Sequence, residues 1–181
     1  MKTKIELSEK VMALYLKMSE ESVLFQKKTQ TGCIAGCGKC CKNPQVVASP
    51  LEMLPLALEV LKDPNKEEIV SSLDSPSCAF FRSLGGDNGS CGEYKHRPVV
   101  CRLFGWSKVN SKTGKSLSVC EAIKKGGNPP SPDFTVSAPD IAQWAAQVRE
   151  LEPYLGDTLY PINKALKVMI ERIELLDSLE G

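Results

Sequence analysis

Apolar positions along the chain form long helical stripes at both ends and a turn-rich middle. Over residues 5–26, Leu7, Val11, Leu14, Leu16, Met18, Val23 and Leu24 recur near helical spacing with Glu and Lys between them, which predicts an amphipathic packing helix. A Gly- and Cys-rich loop follows over 29–44. Ser49-Pro50-Leu51-Glu52 then opens a second helix by two independent signals: Ser49 and Glu52 make a capping box, and Pro50 takes the first helical position. Leu51, Leu54, Leu58 and Leu61 carry this helix to Asp63-Pro64, with Pro55 expected to kink it or delay its start. A short third helix is expected over 66–73.

From 76 to 120 the character changes. Gly85-Gly86-Asp87-Asn88-Gly89, Arg97-Pro98 and Asn110-Ser111-Lys112-Thr113-Gly114 are turn signals, separated by short runs such as Val99-Val100-Cys101-Arg102-Leu103-Phe104. This segment reads as small hairpins or irregular loops, and 126–132 as a Gly/Pro linker. Ser137 with Asp140 is expected to cap a helix running to about Leu151 through Ile141, Trp144, Ala145 and Val148. Pro161 starts a last helix with Ile162, Leu166, Met169, Ile170, Ile173 and Leu176 on one face. The expected fold is mainly α: helices packed around an irregular, cysteine-rich metal-binding centre with short hairpins. Its expected parts are an N-terminal helix (1–28), a cysteine-cluster metal-binding domain (29–125) and a C-terminal helical segment (133–181), joined in one compact unit.

Composition narrows the function classes. With 181 residues, 42% of them apolar, the chain can bury a core without disulfides. Its 23 basic and 22 acidic residues give a net charge of +1, so nothing global favours nucleic acid or an anionic membrane as partner. No stretch approaches the ~18–20 apolar residues a membrane span needs, and the first ten residues lack the apolar core of a secretory signal. The expected compartment is the cytoplasm, where clustered thiols are more often metal ligands than disulfide partners.

The eight cysteines change the picture most. Cys33, Cys37, Cys40 and Cys41 lie within one Gly-rich loop, and Cys78, Cys91, Cys101 and Cys120 are spread through the turn-rich segment. Short spacings let successive thiolates reach one metal, and Gly32, Gly36 and Gly38 permit tight curvature around it. Lys27, Lys28, Lys39 and Lys42 bracket the first group with no acid between them, which would offset thiolate charge. In extended backbone Cys40 and Cys41 would point to opposite faces and serve two sites. Two four-ligand sites, or one cluster plus a structural or redox group, both accommodate eight cysteines.

The string Cys91-Gly92-Glu93-Tyr94-Lys95-His96-Arg97-Pro98-Val99-Val100-Cys101-Arg102, preceded by Cys-x3-Cys-x2-Cys-Cys and Ser77-Cys78-Ala79-Phe80-Phe81, resembles the YkgJ-type cysteine-cluster family, also called the CxxCxxCC or zinc/iron-chelating domain. Here the first gap is three residues rather than two, and Ala79 stands where the family's C-P-F-L element has proline. The resemblance spans 33–120 and implies chelation of an iron–sulfur cluster or zinc by the eight cysteines. A [4Fe–4S] cluster is slightly favoured over Zn²⁺, because the vicinal cysteines and first-group spacing are not those of common zinc fingers, and a second metal site is allowed for. Electron transfer, redox or metal sensing would follow, with a redox or protein partner.

Other readings compete. Cys33-x3-Cys37-x2-Cys40 is also the spacing of radical S-adenosylmethionine enzymes, but Lys39 stands where that family looks for an aromatic residue, and the repeated strand–helix units of its barrel are absent. Flagellin lysine methylases have a similar cysteine pattern in much longer chains. A zinc-stabilised module for protein or nucleic acid would use Arg97, Arg102, Lys108, Lys112 and Lys115 as a basic face, with Trp106 and Phe104 for stacking. Arg97 and Arg102 are also candidates to hydrogen-bond the cofactor's sulfurs, weighed evenly against an ordinary salt bridge. His96, between Lys95 and Arg97, reads as a surface residue, and Tyr94 as a core residue.

Overall fold

Helix α1 (Lys4–Thr29) opens on a capping box in which the Thr3 hydroxyl accepts from the Glu6 N–H and the Glu6 carboxylate accepts from the Thr3 N–H. It ends where Gln30 takes a left-handed conformation, φ 53°, and returns its N–H to the Gln26 carbonyl. The computed structural model describes residues 3–86, 88–126 and 128–180. Asp87 and Gly127, assigned above to a turn and a linker, lie outside the described residues.

The buried face of α1 is Leu7, Val11, Tyr15, Met18, Ser22 and Phe25, a run of four- and three-residue steps. Leu16 (63% exposed), Val23 and Leu24 (67% exposed) face away from the core, contrary to expectation. An aliphatic-only stripe passes over Tyr15, Ser22 and Phe25, which complete the true face.

A single 3₁₀ turn (Lys39–Lys42) and the short strand β1 (Val47–Ala48) lead to α2 (Pro50–Val60), where the Ser49/Glu52 capping box forms as expected. Pro55 neither delays the start nor interrupts the helix; it forfeits only its own bond to the preceding turn. Helix α2 is buried almost all round, which makes it the central element. Next come α3 (Lys66–Ser72), the hairpin β2 (Phe81–Gly85) with β3 (Asn88–Cys91), α4 (Val99–Leu103), the hairpin β4 (Trp106–Ser111) with β5 (Gly114–Val119), and α5 (Glu121–Lys125). A 3₁₀ segment (Pro132–Ser137), α6 (Ile141–Leu151), α7 (Pro153–Gly156), β6 (Tyr160–Pro161) and α8 (Ile162–Glu180) finish the chain. The fold is mainly α with short antiparallel hairpins.

Two expectations are corrected. Residues 99–103 are helical although Val-Val favours strand, because Pro98 sits at the N-cap and Val99 and Leu103 turn into the core. Asp140 alone caps α6, accepting from the N–H groups of Ala142 and Gln143, whereas the Ser137 hydroxyl donates back to Phe134 within the 3₁₀ segment.

One core joins Met18 of α1, Leu54 of α2, Leu103 of α4, Val148 of α6, and Leu166 and Ile173 of α8; Leu176, placed on the α8 face above, is exposed. A smaller cluster of Phe25, Trp106, Ile123 and Ala138 closes the far end. β1 pairs with β6, and Ile162 N–H bonds to the Val46 carbonyl, so the entries to α2 and α8 are held together. Among the described residues no helix is long and apolar enough to cross a membrane.

Candidate metal centre

Backbone bonds fold the cysteine loops against one another. In the first loop Gly36 and Gly38 adopt left-handed φ of 68° and 56°. The Gly89 N–H bonds to the Gly36 carbonyl at 2.7 Å, and a Cβ on Gly38 would stand 2.8 Å from the Gly89 carbonyl carbon and 2.6 Å from the Phe81 ring. Hairpin β2–β3, which ends in Cys91, is thereby laid directly on the loop carrying Cys37 and Cys40. Cys40 and Cys41 sit in a 3₁₀ turn rather than in extended backbone, so their side chains diverge less than a strand would demand.

Cys78 is set by two anchors. Its N–H bonds to the Cys41 carbonyl at 2.9 Å. Asn163, in the first turn of α8, brackets it: Nδ2 donates to the carbonyls of Ser75 (3.0 Å) and Ser77 (2.8 Å), and Oδ1 accepts from the Ala79 N–H at 3.0 Å. Replacing Asn163 by alanine strips three buried bonds from this turn. The expected cost is about 2 kcal/mol in urea denaturation, and an unchanged midpoint would contradict the anchoring role.

Cys101 lies on α4, and Cys120 caps α5 with its N–H on the Gly105 carbonyl at 3.1 Å. All eight cysteines are free thiols. The Cys41 thiol is the common neighbour of the Cys40, Cys78 and Cys91 side chains, able to share its one proton with any of them. Sharing that proton holds the Cys41 thiol well above the usual range, while the same neighbourhood pulls Cys40 down to about 6 and Cys91 to about 7 and lowers Cys78. Burial raises Cys101, and burial with the neighbouring thiols raises Cys33. The centre is therefore part thiolate near neutral pH, the form that binds metal.

The cysteines border two cavities. Cys33, Cys37, Cys40 and Cys120 share one of about 680 Å³. Cys40, Cys41, Cys78, Cys91 and Cys101 share one of about 30 Å³. Cys40 and Arg97 face both. Among the described residues, no group of three or more His, Cys, Asp or Glu side chains is placed so as to hold a metal ion.

The two arginines differ. The half-buried Arg97 guanidinium stacks at 4.3 Å on the Tyr94 ring. Burial would lower its pKa, but Tyr94, Cys101, Cys40 and Cys91 raise it on balance. Arg102 donates from Nε to the Arg97 carbonyl (2.6 Å), from Nη1 to the Ser19 hydroxyl (2.7 Å) and from Nη2 to the Lys95 carbonyl, over the Tyr15 ring. It makes no salt bridge among the described residues and fastens the 95–97 turn to α1.

Two single-residue expectations fail. His96 is buried, 8% exposed, because Glu93 three residues earlier gives it a partner: Nδ1 lies 3.1 Å from Oε2. Tyr94 is 63% exposed rather than in the core, covered on one face by Arg97. Of the residues proposed for a basic stacking face, Arg97, Arg102, Phe104 and Trp106 line the larger cavity, Trp106 being buried with its indole N–H on the Ser22 hydroxyl, whereas Lys115 pairs with Asp140. Sequence reasoning missed Asn163 and Glu93. Only Glu93 carried a signal, an acid three residues from the lone histidine.

No curated protein and no solved structure matches the chain. Residues 32–121, which hold all eight cysteines, match the profile of one family. By that match the chain belongs to the CxxCxxCC family, described as a "Putative zinc- or iron-chelating domain".

Proposed function

We propose that the chain is a redox metalloprotein in which Cys33, Cys37, Cys40 and Cys120 hold a [4Fe–4S] cluster and Cys41, Cys78, Cys91 and Cys101 line the site of a single zinc or iron ion. The observation that carries this reading is the unequal pair of cysteine-lined cavities. One of about 30 Å³ has room for an atom or two of water size, whereas one of about 680 Å³ takes a polynuclear group. The donor set suits both, since thiolates are the ligands of zinc and of iron–sulfur clusters alike. When bound, the cluster supplies one-electron redox chemistry. The protein's part is to present four thiolates, to place the Arg97 cation beside the excess negative charge, and to hold that arginine against Tyr94. A bound metal would displace the Cys41 proton, since the ligating form is the thiolate.

Paired substitutions test the division. Cys120→Ser is expected to lose iron and acid-labile sulfide while keeping the single ion, and Cys78→Ser the reverse, by metal analysis. If both variants lose the same metal in the same proportion, the two-site reading is wrong.

A further inference from the structure

We infer that His96 is a nitrogen ligand of the ion in the smaller cavity, bound together with Cys41, Cys78 and Cys91. This rests on the metal-binding reading above and refines its second site. His96 borders the same cavity as those three cysteines. Cys41 is the common neighbour of Cys78 and Cys91 on that cavity wall.

The ring is arranged as metal-bound imidazoles are. Its Nδ1 meets the Glu93 carboxylate at 3.1 Å, which fixes the proton there and leaves Nε2 with its lone pair. Among the described residues Nε2 has no hydrogen-bond partner, yet no fully buried side-chain nitrogen or oxygen is left orphaned. Nε2 therefore borders open space. Two spaces adjoin the residue: the sulfur-lined cavity, and a cleft beside Glu59, Asp63 and Arg82. An imidazole so deeply enclosed, with its outer nitrogen held by a carboxylate, suits the first, where its neighbours are thiols. Three thiolates and one imidazole are an ordinary tetrahedral zinc set.

X-ray absorption at the zinc edge of the zinc-loaded full chain decides this without any variant. The expected shell contains sulfur at about 2.3 Å and a nitrogen component at about 2.0–2.1 Å. That nitrogen component is expected to vanish in His96→Gln. Zinc bound in a sulfur-only shell overturns the His96 assignment and leaves chelation standing. Failure to take up any zinc overturns both.

Discussion

Replacing Glu52 by alanine is expected to destabilise the protein by about 3 kcal/mol, whether or not metal is bound. One carboxylate joins two helices, and the backbone carbonyl of the same residue holds a third. Oε2 accepts from the Ser49 N–H (2.8 Å) and hydroxyl (3.0 Å), and Oε1 accepts from the Val99 N–H at 3.0 Å. The Glu52 carbonyl accepts from the Tyr15 hydroxyl at 2.8 Å. Alanine removes one arm of the α2 capping box, about 1 kcal/mol. It also leaves the Val99 N–H unpaired, about 1–3 kcal/mol. For a chain of this size the melting temperature should fall by about 10 °C.

Glu52 also predicts a pH signature. Burial raises its pKa, against the bonds from Ser49 and Val99 that lower it. A carboxyl whose folded pKa is raised contributes stability below its unfolded value, about 4.3. That contribution is lost as pH rises through the folded value. The advantage of the wild type over Glu52→Gln should therefore be largest in acid and shrink with rising pH. An advantage that grows with pH would contradict this placement of the charge.

Cys91→Ser is expected to remove one metal equivalent and, with it, about 4 kcal/mol of stability, the contribution of a ligand held at a thousand times its dissociation constant. Serine can keep the hydrogen bond that Cys41 gives to position 91, but its hydroxyl is a poor ligand for zinc or iron beside thiolates. The difference must therefore vanish once metal is stripped. Loaded wild type should melt about 10 °C above loaded Cys91→Ser, and the two chelator-treated proteins within about 2 °C of each other. Equal melting in the loaded state would remove Cys91 from the site.

The helices that the sequence announces are those whose signals are local. The Ser49/Glu52 box and Pro50 fix the start of α2, and the aliphatic period from Ile162 to Ile173 fixes α8. The second arm of Glu52 reaches a residue 47 positions away, which no local pattern encodes. The same holds for Ser22, polar on the apolar face of α1 because its hydroxyl receives the Trp106 indole N–H from 84 positions on. Residues 99–103 read as hairpin or irregular loop because the Val-Val propensity is local and the Glu52 contact that supports the helix start is not.

At the cysteines, chain spacing separates 33–41 from 78–120, whereas the fold regroups them. Cys120 joins the wall of Cys33 and Cys37, and Cys41 turns to Cys78 and Cys91. That exchange depends on the β2–β3 hairpin lying on the first loop and on α5 closing behind Gly105, both products of tertiary contacts.

Iron, zinc and acid-labile sulfide per chain, measured on protein purified without oxygen, test the central claim most directly. The account predicts about four irons and four sulfides together with one further zinc or iron, in a brown protein. A colourless, metal-free chain with eight titratable thiols would contradict it.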